Sequence, residues 1–188
     1  MNEETPDPLD EQLARARLGE RAALAVLVQA HQRSVYSLAL RMLGTRDLAE
    51  DLTQDVFMQL QGKLGGIGSN KHLGFWLRQV ATNRAIDQLR RRARVQMTSL
   101  DEEQPFFSVE ADSDPLLQRH LHRLLADLAA PARAVLLLRY QEDLDPVDIA
   151  RTLDMPINTV KSHLKRSLDS LREKTAVMPL APCEDNST

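Results

Sequence analysis

Apolar residues recur at spacings of three and four along this chain of 188 residues, and strict alternation typical of a strand is missing. The segment 20–43 is predicted to be a long helix that ends at Gly44, since a glycine commonly follows the last helical residue. Thr45 can cap the next predicted helix. The buried lines of the two helices are Leu24, Leu27, Val28, Val35, Leu38 and Met42, and then Leu48, Leu52, Val56 and Leu60. The pattern therefore predicts an all-α fold.

A glycine-rich loop, "GGIGSN" at 65–70, separates these helices from a third, predicted from about His72 through a cluster of arginines. At about 100° per residue, one face of this third helix grades from aromatic through amide to arginine. This face consists of Trp76, Gln79, Asn83, Asp87, Arg90 and Arg94, and a separate stripe consists of Leu77, Ala81, Ala85 and Leu89. The helix can thus bury one side and offer the other to a ligand.

The helical periodicity fails between residues 95 and 115, where two prolines occur and every charged residue is acidic, so we interpret this segment as a flexible linker. Residues 116–175 are predicted to form four helices, two of which begin at an Asp-Pro pair: Asp114 with Pro115, and Asp145 with Pro146. The predicted organisation is two small helical domains of three to four helices each, at 1–94 and 116–175, followed by a disordered tail at 176–188.

The last two predicted helices form a helix-turn-helix. Nine residues from Asp145 make a short helix, "LDMPI" turns the chain, and Asn158 caps a longer helix. Its inward residues are Val160, Leu164, Leu168 and Leu171, and its outward residues are Lys161, Ser162, Lys165 and Arg166. Recognition helices present their N-terminal residues to the major groove in this manner. The alternative is a helical hairpin with a solvated cationic face, and we favour DNA binding.

Charge is distributed unevenly behind the formal net charge of −3. Residues 22–94 hold eleven cations and five anions, a net of +6, and residues 95–115 hold six anions and no cation. An aromatic or amide next to guanidinium groups suits single-stranded nucleic acid. The alternatives are that Trp76 is a core residue, which we favour, and that the arginines are solvated at a helix C-terminus.

Other function classes are less consistent with the composition. The chain contains no apolar run near the ~20 residues that a bilayer requires, and its acidic N-terminus does not resemble a signal peptide, so we expect a cytoplasmic protein. A single cysteine, Cys183, excludes an internal disulfide and offers no metal-ligand spacing. The five histidines form no motif of a metalloprotease or a catalytic triad, so we predict neither enzymatic activity nor a cofactor.

Three segments together resemble the bacterial RNA polymerase sigma factors of the extracytoplasmic-function (ECF) group. They are "AEDLTQDVF", "FWLRQVATNRAIDQLRRR" and "PARAVLLLRYQEDLDPVDIARTLDMPINTVKSHLKRSLDSLR", and the likeness covers about residues 20–94 and 116–174. The resemblance implies that the first domain binds core RNA polymerase and melts the minus-10 element, and that the second reads the minus-35 element. It also allows an anti-sigma factor as a partner. A stand-alone helix-turn-helix regulator is the competing hypothesis.

The resemblance also implies roles for individual residues. The polymerase-binding residues would be Asp51, Gln54 and Asp55, for which a solvated helix face is the alternative. The minus-10 contacts would be Ile67, with its glycine-rich loop as specificity loop, Asn83, Arg90, Arg91 and Arg94. The minus-35 contacts would be Lys161, Ser162, His163, Lys165 and Arg166. The acidic linker would thread toward the active-site channel of the polymerase.

Three positions depart from the family pattern. Asp154 stands in the helix-turn-helix turn where glycine is usual, and aspartate tolerates a left-handed backbone better than most residues. Asn158 replaces another common glycine, and His163 stands where arginine is frequent. We therefore expect the turn to form, but the minus-35 sequence preference does not follow from the resemblance.

Overall fold

The computed structural model describes residues 7–96 and 115–176, and within these ranges all regular secondary structure is helical. The predicted all-α class is therefore confirmed for this part of the chain. The first domain contains α1 (Pro8–Arg17), α2 (Arg21–Leu43), α3 (Arg46–Gln61), a single 3₁₀ turn (Leu64–Gly66) and α4 (Asn70–Gln96). The second domain contains α5 (Pro115–Ala126), α6 (Ala130–Tyr140), α7 (Pro146–Thr152) and α8 (Ile157–Ala176). The predicted acidic linker and C-terminal tail lie largely outside the described residues.

Helix α2 is the centre of the first domain, because α1, α3 and α4 all pack against it. The predicted apolar stripes point inward, with Leu27, Val56 and Leu77 no more than 1% exposed. Gly44 follows α2 in the left-handed conformation at φ 82°, as predicted. Thr45 occupies the N-cap position of α3, but its side chain makes no capping hydrogen bond.

Helix α1 was not predicted from the apolar pattern. It is ten residues long and buries only Leu13 and Ala16, which is too short a stripe to show a period. Its start is nevertheless encoded locally, because the Asp7 carboxylate accepts a hydrogen bond from the Leu9 N–H at 3.0 Å and Pro8 is the first helical residue. The signal that sequence reasoning missed is this Asp-Pro pair, the same signal that it used for α7.

The second domain is built around α6, in which the residues from Ala132 to Leu138 are all buried. Helices α7 and α8 pack against α6 and against each other. The predicted Asp-Pro start of α7 is confirmed, since the Asp145 carboxylate accepts hydrogen bonds from the Val147 and Asp148 N–H groups, both at 2.8 Å.

The turn of the helix-turn-helix contains both a confirmation and a correction. Asp154 adopts the left-handed conformation at φ 48°, as the position requires. Asn158 is not the N-cap of α8, because the helix begins at Ile157 and the Pro156 carbonyl already accepts hydrogen bonds from Thr159 and Val160. Helix α7 has seven residues rather than nine.

The two domains share one hydrophobic cluster. Helix α6 packs against α2 and α4, and α7 packs against α4. At the centre of this contact, Arg133 of α6 is only 7% exposed. Its guanidinium donates to the Met42 carbonyl at the end of α2, at 2.5 Å, and to the Ala126 carbonyl at the end of α5, at 2.7 Å. A cation suits these positions, because the last carbonyls of a helix lack intrahelical donors and carry a partial negative charge.

Polar contacts surround Arg133 at the edge of the same interface. Glu142 accepts a hydrogen bond from the Ser34 hydroxyl at 3.3 Å and lies 3.8 Å from the Arg78 guanidinium. Gln141 donates to the Ser37 hydroxyl at 3.3 Å. The Arg151 guanidinium lies over the Phe75 ring, 5.7 Å from its centroid. The domains therefore meet through a small buried centre with a polar rim.

Replacing Arg133 by alanine is expected to destabilise the arrangement in which the two domains pack against each other, which we call the closed arrangement. The change leaves the Met42 and Ala126 carbonyls without their donor, and a buried unsatisfied acceptor costs about 1–3 kcal/mol. Urea unfolding followed by circular dichroism should show a loss of about 2–4 kcal/mol in Arg133→Ala. Arg172→Ala is the matched control, because Arg172 is an exposed arginine paired only with Asp169 of its own helix. Equal stability of the two variants would contradict the role assigned to Arg133.

Stability should also fall with acidification through His122, which lies beside Arg133. Burial, and then the nearby Arg133 charge, lower the pKa of His122 below its usual 6.5. The folded state therefore favours neutral His122, and this contribution is complete above the unfolded pKa and declines as the unfolded chain takes up a proton at lower pH. We expect the melting temperature to fall more between pH 7.5 and 5.5 in the natural chain than in His122→Gln. Parallel pH profiles of the two proteins would refute this expectation.

Candidate nucleic-acid and polymerase interface

Helix α4 separates a buried stripe from an exposed polar face, as its spacing predicted. Leu77, Ala81 and Ala85 are no more than 1% exposed, whereas Asn83 lies on the surface. Trp76 is half-buried and packs against the core, which agrees with the interpretation favoured from the sequence. The amide of Asn83 is therefore more exposed on this face than the indole of Trp76.

The arginines that follow Asn83 remain accessible. Arg90, Arg91 and Arg94 are exposed. Arg90 lies 3.9 Å from the Asp87 carboxylate, and Arg94 donates to the Arg90 carbonyl at 3.3 Å. Exposed contacts of this kind contribute little to the free energy of folding. A phosphate could therefore take the place of Asp87 or of the Arg90 carbonyl at a small cost in free energy.

Ile67 requires a correction. Its side chain is 2% exposed and belongs to the core of the first domain, so it is not available to DNA in this structure. Isoleucine is driven inward here because the loop crosses the apolar end of the domain, where Leu64 is also buried. What the loop exposes is backbone at Gly65 and Gly66, where an added Cβ would meet no atom within 4 Å.

Helix α8 places its cations outward. Lys161, Lys165 and Arg166 are exposed, as is Ser162, whose hydroxyl donates to the Asn158 carbonyl at 2.8 Å. His163 is half-buried and therefore less accessible than its neighbours. On the opposite side, Val160 is fully buried, and three leucines pack against the core: Leu164, Leu168 and Leu171. The helix thus presents a cationic face in its first three turns.

The predicted polymerase-binding residues lie together on the exposed side of α3. Asp51, Gln54 and Asp55 line a groove of about 710 Å³ between α3 and α4, whose other wall carries Arg84 and Arg91. Arg84 donates to the Asp55 carboxylate at 2.7 Å and to the Gln59 side chain at 3.1 Å. Sequence reasoning missed Arg84, because its partner is 29 residues away and no local pattern relates the two.

A second groove, of about 680 Å³, lies between α2 and α3 and is mainly apolar. Gln54 and Met58 border both grooves, and Met58 is 64% exposed. The polar residues predicted to bind the polymerase therefore continue into an apolar surface on the same helix.

Two further searches cover the described residues only. In residues 7–96 and 115–176, no three histidine, cysteine, aspartate or glutamate side chains are grouped so that they could hold a metal ion. Across the same residues, each helix is too short or too polar to span a bilayer.

Known proteins share both domains of this chain. Residues 27–95 match the family model of Sigma-70 region 2, and residues 118–171 match that of Sigma-70, region 4. The ECF RNA polymerase sigma factor SigE of Mycolicibacterium smegmatis is 33% identical in an alignment of 183 positions that covers 90% of this chain and 70% of SigE. The ECF RNA polymerase sigma factor SigW of Bacillus subtilis is 24% identical in an alignment of 179 positions that covers 88% of this chain and 96% of SigW.

Solved structures agree with this relationship. The sigma factor RpoE of Bartonella quintana, solved with the anti-sigma factor NepR, superposes with a TM-score of 0.67 at 26% identity, over 80% of this chain and 94% of RpoE. CnrH, solved with the cytosolic domain of CnrY, gives a TM-score of 0.67 over 90% of this chain and 98% of CnrH, at 19% identity, and so supports the fold alone. The match to region 2 also counts against a stand-alone helix-turn-helix regulator. The resemblance inferred from the sequence is thus confirmed, and the chain belongs to the ECF RNA polymerase sigma factors.

Proposed function

We propose that this chain binds core RNA polymerase through α3, captures the melted minus-10 strand on α4 and reads the minus-35 element with α8. One observation carries the proposal: each of these helices buries its apolar stripe and exposes its polar face, within the two family regions and in the family's order. The chain itself supplies recognition and strand capture, and bond formation belongs to the polymerase.

The minus-10 role rests on the chemistry of the α4 face. An exposed amide such as that of Asn83 can hydrogen-bond the edge of a base that has left the duplex, and extrusion of that base costs a few kcal/mol. Arg90, Arg91 and Arg94 can hold the phosphates of the open strand and offset this cost. Ile67 supports the glycine-rich loop from within the core, and the exposed backbone of Gly65 and Gly66 is the part that DNA can approach.

The minus-35 role rests on α8. Lys161, Lys165 and Arg166 can reach phosphates or guanine edges in a major groove, and the Ser162 hydroxyl can donate to either when it releases the Asn158 carbonyl. His163 contributes less direct contact, since it is half-buried. The second domain, at 116–175, is proposed as the duplex-reading unit.

The polymerase-binding role rests on α3, where Asp51, Gln54 and Asp55 form an acidic and amide surface beside exposed Met58. A mixed surface of this kind suits a helical partner with basic residues and an apolar ridge. We assign this role to the unit at 1–94, with 95–115 as the acidic connection toward the active-site channel, and we assign no role to 176–188. The proposed compartment is the bacterial cytoplasm, and the likeness to a sigma factor solved with its anti-sigma factor supports an anti-sigma factor as a partner.

Core RNA polymerase supplemented with the purified chain should start transcription at a defined set of promoters. The direct measurement maps transcript starts after overexpression, derives the shared promoter sequence and repeats transcription in vitro on that promoter. Core polymerase without the chain is the control. Absence of promoter-specific transcripts with the chain present would refute the proposed function.

The two DNA-binding surfaces should be separable by single substitutions. Asn83→Ala is expected to slow promoter opening, measured by permanganate reactivity of the minus-10 strand, while binding to duplex promoter is retained. Lys165→Ala is expected to weaken promoter binding by about tenfold, since a specific contact contributes about 1–3 kcal/mol. Arg172→Ala removes an exposed cation farther along the same helix and should leave binding unchanged. If Asn83→Ala instead weakened binding to duplex promoter and Lys165→Ala slowed only promoter opening, the roles proposed for α4 and α8 would have to be exchanged.

A further inference from the structure

The segment 62–69, which connects α3 to α4 and contains most of the glycine-rich loop, is held at both ends by helix α1. At its start, the Arg17 guanidinium donates to the Leu64 carbonyl at 3.2 Å. At its end, the Asp10 carboxylate accepts a hydrogen bond of 2.5 Å from the Asn70 N–H, the first residue of α4. A helix that lies outside the loop in sequence therefore fixes where the loop leaves α3 and where it enters α4.

Asn70 connects three helices at this point. Its side-chain amide donates to the Asp7 carboxylate of α1 at 2.6 Å, and its carbonyl oxygen lies 2.7 Å from His31 Nε2 of α2. Its backbone N–H is the group bound by Asp10. Hydrogen bonds to Leu9 and Asn70 lower the pKa of the Asp7 carboxyl, so Asp7 is ionised as an acceptor at neutral pH. The amide of Asn70 thus has a fixed orientation with each side satisfied.

The loop between these two anchors is also ordered from within. The Ile67 side chain is buried in the core, and the Gly68 N–H donates to His72 Nδ1 at 3.1 Å. Gly65 and Gly66, by contrast, have neither a left-handed φ nor a neighbour that a Cβ would meet. Neither the fold nor the packing requires glycine there, and bare backbone allows close approach of another molecule.

We propose that Arg17, Asp10 and Asn70 are positioning residues, which set the conformation of the 62–69 loop and thereby the base that the protein accepts at the minus-10 element. This inference rests on the proposed function of the first domain. None of the three residues needs to touch DNA. They act through the loop backbone, because a shift of Leu64 or of the start of α4 moves the bare segment between them.

Two matched pairs of variants test the role. Arg17→Ala removes the anchor at Leu64, whereas Arg15→Ala removes an arginine of the same helix that pairs with Glu20 instead of the loop. Asp10→Ala removes the acceptor for the Asn70 N–H, whereas Asp10→Asn keeps an oxygen that can accept the same bond. Asn70→Ala removes the side-chain contacts to Asp7 and His31.

The readout is transcription by reconstituted holoenzyme from a promoter library with a fixed minus-35 element and a randomised minus-10 element. We expect Arg17→Ala, Asp10→Ala and Asn70→Ala to reduce the ratio between the most and least accepted minus-10 base at least threefold. Arg15→Ala and Asp10→Asn should keep the natural ratio. Competition for core polymerase and dependence on the minus-35 element should stay within twofold of the natural chain in all five variants.

Hydrogen exchange provides a second measurement that does not depend on transcription. Backbone amides of residues 64–70 should exchange faster in Arg17→Ala and Asp10→Ala than in their matched controls. An unchanged base preference in these two variants, or an equal change in Arg15→Ala, would overturn the proposal, as would unchanged exchange of the loop. Failure of the natural chain to direct transcription from any promoter would instead refute the proposed function and would leave the exchange result to decide whether α1 orders the loop.

Discussion

The arrangement of the two domains depends on one buried guanidinium. Arg133 enters the contact from α6 and satisfies carbonyls at the ends of α2 and α5, so one side chain completes a helix in each domain. A buried cation without an acceptor would be costly, and burial indeed lowers the pKa of Arg133. The cost is offset here by helix ends, which need donors in any case. The position of α6 relative to α2 is therefore fixed by the geometry of a planar fork between two helix ends.

Helix α4 has an exposed polar face, a side that contacts the second domain and a side that packs in the core. The spacing of its residues shows how these three sides are arranged around the helix axis. With Asn83 taken as the reference, Arg90 and Arg94 lie within about 20° of it around the helix axis, whereas Phe75 lies about 80° and Arg78 about 140° away from it, both in the same direction. Phe75 and Arg78 contact the second domain, and Ala81 lies in the core at about 160°. Closure of the second domain consequently leaves the polar face of α4 exposed.

Local signals in the sequence were sufficient for most of the fold. The stripes of α2, α3, α4 and α8 follow from period alone, and the Asp-Pro start of α7 and the left-handed Asp154 follow from the chemistry of single residues. The errors have local causes as well. The residue type of Asn158 predicts a cap, but the Pro156 carbonyl accepts the first hydrogen bonds of the helix, which therefore starts two residues earlier.

The candidate site was less accessible to sequence reasoning, since its geometry depends on contacts between distant residues. The spacing of residues predicts the exposed faces of α3, α4 and α8, but it does not predict whether the Ile67 side chain is buried or exposed. A lone apolar residue among glycines can serve as a ligand contact or as an anchor, and the choice depends on what packs beneath it. Here Ile67 packs into the core of the first domain, and the 3₁₀ turn just before it contacts α1, a helix that the apolar period does not predict.

The polar contacts at the edge of the domain interface suggest how the two domains can pack in one defined arrangement and still be able to separate. The bonds among Ser34, Ser37, Gln141 and Glu142 are long, at 3.3–3.5 Å. Their net contribution to stability is modest, because an intramolecular hydrogen bond replaces bonds of the same groups to water. The position of one domain on the other is therefore determined mainly by Arg133. If the domains separated, water would replace the Met42 carbonyl as its acceptor, whereas its bond to the Ala126 carbonyl would remain inside the second domain. The guanidinium would keep one protein acceptor in either arrangement, which makes the Met42 bond the contact that distinguishes closed from separated domains.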